Sequence, residues 1–184
     1  MLRTARHRDP GKRRTPMIEL YNFLENNRDR IISALLTTIP KEVPAYSRVG
    51  RNDLKQSLEY LLEAYTDLLV TGEDDSQKTY FKYLAKVRVS QSFKLADVAH
   101  KQLCFLGVIR EMLQVHFRDV DGDGLTIFNK AMTQLERTTF KSVALFIDVY
   151  TDYLKSRKTE HDEYLQENNE QLGVDLSKFI LFRG

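Results

Sequence analysis

At 184 residues with 42% apolar side chains, the chain is long enough to build one domain around a real core. A single cysteine excludes an internal disulfide, and no apolar run approaches the roughly 20 residues that span a bilayer, so membrane insertion is not expected. The net charge of +2 hides an asymmetry: residues 1–16 hold Arg3, Arg6, Arg8, Lys12, Arg13 and Arg14 against Asp9 alone, which leaves the remainder net acidic.

The elements follow in chain order. Residues 1–16 read as a disordered basic arm, because they carry almost no apolar surface to bury. No aromatic residue is interleaved there for base stacking, so nucleic acid is not the expected partner. Met17 opens the domain proper, expected over 17–157. A first helix from about Ile18 to Ile39 places Leu20, Leu24, Ile31, Leu35 and Ile39 on one stripe, with Pro40 and Pro44 as its stop. Asn52 or Asp53 caps a second helix carrying Leu54, Leu58, Leu61, Tyr65 and Leu68, which Thr71-Gly72 ends. A third covers about Gln77–Val89, with Tyr80, Phe81, Leu84 and Val87 inward. After a corner at Gln91-Ser92-Phe93 the fourth runs Leu95–Phe117, and its stripe reads as Leu95, Val98, Leu103, Leu106, Ile109, Leu113 and Phe117. The fifth runs from about Leu125 to Ser156 through Phe128, Met132, Leu135, Thr139, Val143, Phe146, Val149 and Tyr153. Residues 158–184 read as a polar helical extension followed by an apolar tail. Its Phe179, Ile180 and Phe182 are expected to dock in a groove, on their own bundle, a second protomer or a protein partner. The fold class is therefore all-α: a compact bundle of about five long helices with a C-terminal tail, bundle-like and globin-like crossings both being compatible with it.

Groups that could carry chemistry are few. Asp119-Val120-Asp121-Gly122-Asp123-Gly124 matches the opening of an EF-hand loop, in which Asp119, Asp121 and Asp123 would converge on a calcium ion. Lys130 stands where a bidentate Glu should close that shell, so an acidic interhelical turn is the plainer reading and weak binding the most to be expected. His100 and His116 lie on one helix about 24 Å apart and cannot share a metal. His100, beside the apolar stripe, would be the axial ligand of a haem if the bundle were globin-like, although a histidine satisfied at the core edge explains it as well. No nucleophile–base set, phosphate loop or dinucleotide fingerprint occurs, so no enzyme and no cofactor are expected. Cys104 reads as a small buried apolar residue. Tyr46, Tyr60, Tyr80, Tyr83 and Tyr150 read as core, with a ligand cavity lined by their polar tips as the alternative.

One resemblance spans residues 18–157. The first helix with Arg28, Asp29, Ile31 and Ile32, the Leu-rich second helix and the corner Arg88, Gln91, Phe93, Leu95, Asp97, Val98 resemble the N-terminal domain of RsbT co-antagonist (RsbRD-type) stress regulators. Ser92 stands where that pattern has Gly, Lys94 where it has Ser, and the Trp common in the first helix is missing. The resemblance implies a noncatalytic bacterial sensor or adaptor, cytoplasmic, acting by protein–protein contact. It also implies pairing as a homodimer. The signal sensed is not written in these residues.

Overall fold

The computed structural model describes residues 16–118 and 124–172, and among them every long element is helical. These are α1 (Pro16–Asn26), α2 (Arg28–Glu42), α3 (Arg51–Thr71), α4 (Asp75–Ser90), α5 (Leu95–Phe117) and α6 (Gly124–Leu172), with a short 3-10 turn at Pro44–Arg48. The chain is thus an all-α bundle. Its core is one contiguous cluster reaching from Leu20 to Tyr150.

The single first helix expected from the sequence is two. At Asn27 the backbone leaves helical geometry (φ −115°, ψ 12°), and the Asn27 amide donates to the Phe23 carbonyl at 2.9 Å. Asparagine competes locally for backbone partners, which is why it marks the break. Main-chain bonds from Asn27 to Phe23 and from Ile31 to Asn27 carry the chain across, so the expected stripe from Leu20 to Ile39 is buried throughout. Pro40 does not stop α2, which continues to Glu42, with Pro44 opening the 3-10 turn two residues later.

α3 begins behind Gly50 rather than at Asn52 or Asp53, and ends as expected at Gly72, whose φ of +75° is the left-handed cap that glycine adopts without strain. α3 packs on α4 and α6, where the Tyr65 hydroxyl donates to the Leu135 carbonyl at 2.9 Å. α5 and α6 run antiparallel, in a register marked by Ser142 on Gln102 (3.2 Å) and Tyr150 on the Phe93 carbonyl (2.8 Å).

The stripe expected on α5 needs one correction. Leu103 is 43% exposed, and the positions facing the core are Val98, Lys101, Gln102, Phe105, Val108, Ile109 and Leu113. An apolar count passes over Lys101 and Gln102 and moves to the nearest leucine, although the helical repeat from Val98 lands on them. α6 also runs past the expected end at Ser156, to Leu172. Tyr153 is the last residue partly covered by the bundle, and 154–164 are exposed on every face.

Candidate functional site

The corner between α4 and α5 is a Schellman turn. Phe93 N–H donates to Arg88 C=O (2.9 Å) and Ser92 N–H to Val89 C=O (3.0 Å), with Ser92 at φ +59°, the one left-handed non-glycine residue described. Asp97 accepts from the Lys94 N–H at 3.2 Å and caps the start of α5. Arg48 of the 3-10 turn donates to the Gln91 and Ser92 carbonyls at 2.9 and 3.3 Å, and its guanidinium lies 4.7 Å above the Phe93 ring. Tyr150 of α6 holds the Phe93 carbonyl from the other side. The corner is therefore clamped by three elements, and Phe93 is driven inward against Tyr46 at 4.8 Å between ring centres.

Behind Phe93 lie two buried cations. Arg88 is 3% exposed and Lys101 is fully buried. The Arg88 guanidinium sits 5.1 Å over the rings of both Tyr46 and Phe93, and its Nη1 donates to the Gln91 side-chain carbonyl. Its Nε is buried without a partner, as is the Tyr46 hydroxyl. Lys101 Nζ donates to the Tyr80 hydroxyl (3.2 Å) and reaches Ser57 Oγ (3.4 Å), with the Tyr46 and Tyr80 rings just under 6 Å away. Tyr80 in turn donates to the Ser57 carbonyl at 2.9 Å.

The described ion pairs lie at the surface and leave both cations without a carboxylate. Removing an uncompensated ion from water costs several kcal/mol. Burial, reinforced by the charge of Arg88, accordingly pulls the Lys101 ammonium down to about 7. Burial pushes the Tyr80 phenol up to about 12 and the Tyr46 phenol higher still, so both rings stay neutral across the physiological range.

The residues singled out from the sequence are scattered. His100 is exposed on α5 and does not face an apolar pocket, contrary to what an axial haem ligand requires. Asp119, Asp121 and Asp123 lie outside the described residues, as do Phe179, Ile180 and Phe182. Among the described residues no cluster of His, Cys, Asp or Glu is arranged to hold a metal ion. Cys104 is buried, and burial raises its thiol, with the charge of Glu42 adding to the effect. Of the tyrosines, Tyr46, Tyr80 and Tyr150 are core while Tyr60 and Tyr83 are exposed. Sequence reasoning missed Lys101. Its signal was position: three residues after Val98 and four before Phe105, it had to face inward.

No protein-family model matches the chain, and no curated protein and no solved structure matches it significantly. Among the described residues no helix is long and apolar enough to cross a membrane.

Proposed function

We propose that this protein is a noncatalytic, cytoplasmic sensor or adaptor of the RsbRD N-terminal type, acting by protein–protein contact and pairing with a second copy through α6. The observation that carries this reading is the shape of α6. At 49 residues it is roughly 73 Å long, and from Leu154 to Tyr164, roughly 16 Å of it, the side chains are exposed to solvent. Phe140, Ile147 and Leu154 are 59%, 38% and 44% exposed and recur every seven residues, close to two helical turns, so they share one outward face. A helix held by a bundle along one stretch and exposed along the next can pass a change in packing along it.

The corner adds support for the resemblance itself. Where the RsbRD pattern has glycine, the backbone at Ser92 is left-handed, the conformation glycine adopts at no steric cost.

Light scattering on the full chain tests the pairing. Twice the chain mass of 21.5 kDa is expected for the wild type, and the single-chain mass for an Ile147→Glu, Leu154→Glu double variant of unchanged helicity. A wild type that stays monomeric at high concentration, and captures no protein partner, would overturn the reading.

A further inference from the structure

α3 and α4 leave a cleft whose floor reaches the buried Arg88. One recess, about 270 Å³, is bordered by Ser57, Leu84, Arg88 and Gln91, with Tyr60 and Tyr83 at its side. A second recess of about 540 Å³ continues from it past the same two tyrosines toward Tyr80 and Ala64. Tyr60 and Tyr83 are 47% and 61% exposed, so two phenol rings stand in solvent at the junction. Isolated exposed aromatics are ordinary, but two flanking one concavity with an arginine at its base are the lining of a small-molecule site.

The polar chemistry narrows the occupant. A guanidinium offers five donors; Arg88 gives one to Gln91, and its Nε has no partner within the chain. Its faces are turned to the Tyr46 and Phe93 rings, which leaves the edge for a planar acceptor. Lys101 lies one residue deeper, behind Ser57, and adds positive potential without touching the recess. A guanidinium buried without a carboxylate gains from an anion that arrives from outside the chain.

The rim limits the anion's charge. Asp53 borders the Arg88 recess, and Glu63 and Asp67 border the second, so the rim opposes any anion, but a dianion such as phosphate about twice as strongly as a monoanion, which the single Arg88 charge can offset. We propose that this cleft binds a small monocarboxylate with an aromatic body, its carboxylate on Arg88 beside Gln91 and Ser57 and its ring against Tyr60 and Tyr83. This deepens the sensor reading by naming a ligand class, and rests on that reading for its role but not for the binding itself.

Calorimetry and melting shifts on the full chain test it, with benzoate and phenylacetate as probes and acetate and inorganic phosphate as comparisons. Benzoate or phenylacetate is expected to release or absorb heat and raise the melting temperature, and acetate and phosphate to bind more weakly. Tyr83→Ala, an exposed change that leaves the core intact, should weaken binding about fivefold through the lost ring contact. Arg88→Gln should weaken it by about tenfold or more, the size of a lost charge-assisted bond. Should that variant fail to fold, Ser57→Ala with Tyr83→Ala decides. No response to either aromatic acid, equal binding in the wild type and the variants, or phosphate binding as tightly as benzoate would each overturn the proposal. The mass of the ligand-free chain is measured separately, so failure of the cleft is distinguishable from failure of the α6 pairing.

Discussion

Burying the Lys101 ammonium beside the Arg88 guanidinium raises the free energy of the charged fold, and the sign of that effect sets a pH dependence. In the unfolded chain Lys101 holds its proton up to about 10.5, whereas in the fold burial brings this to about 7. Between those values the unfolded state binds more protons, so stability rises with pH; below about 7 both states are protonated and the slope from this residue vanishes. Chemical denaturation from pH 7 to pH 10 should therefore show the wild type gaining stability, and Lys101→Met losing that slope while being the more stable protein at pH 7. A second residue-scale prediction concerns Ser92, whose φ of +59° carries a Cβ penalty that glycine lacks. Ser92→Gly should be stabilising by up to about 1 kcal/mol in urea denaturation, and Ser92→Val destabilising by more than that. Neither residue could be read from composition. Ser92 was visible only as a departure from the RsbRD-like pattern, and Lys101 only as a charge on an inward register.

At the scale of elements, the helices were largely legible because their apolar positions repeat at helical spacing and their ends carry physical stops such as Gly72. α3 and α5 lie within a residue or two of where periodicity puts them, and the Leu54-to-Leu68 stripe is buried throughout. The break at Asn27 was passed over because the apolar stripe resumes in register at Ile31 after six polar residues, and the extension beyond Ser156 because a polar segment of good helix formers has no stripe to read. The coupling between elements was not legible at all, because it is made by single hydroxyls. Tyr150 is the clearest of these, tying α6 to the carbonyl of Phe93 at the corner. Tyr150→Phe keeps the ring and removes that bond, and should lower stability by about 1–2 kcal/mol in a denaturant titration. The same change should loosen the Ser92 amide, which hydrogen exchange reads directly.

For the molecule as a whole, the bundle and the exposed stretch of α6 obey different physics. The bundle is held by one core in which Phe81 stacks edge-on to Phe146 and Tyr65 meets Phe105, whereas residues 154–164 are exposed and contribute no residue to that core. A polar helical segment of that length with so little buried surface is marginal in water on its own, so a second surface would steady it. The pairing proposed for α6 starts on the bundle at Phe140 and Ile147 and reaches the exposed segment at Leu154. Amide hydrogen exchange across 154–164, followed as a function of protein concentration, tests this most directly. Protection that grows with concentration in the wild type and is absent from the Ile147→Glu, Leu154→Glu variant is the predicted result. Exchange at unfolded-chain rates in the wild type at high concentration, with the bundle fully protected, would contradict it.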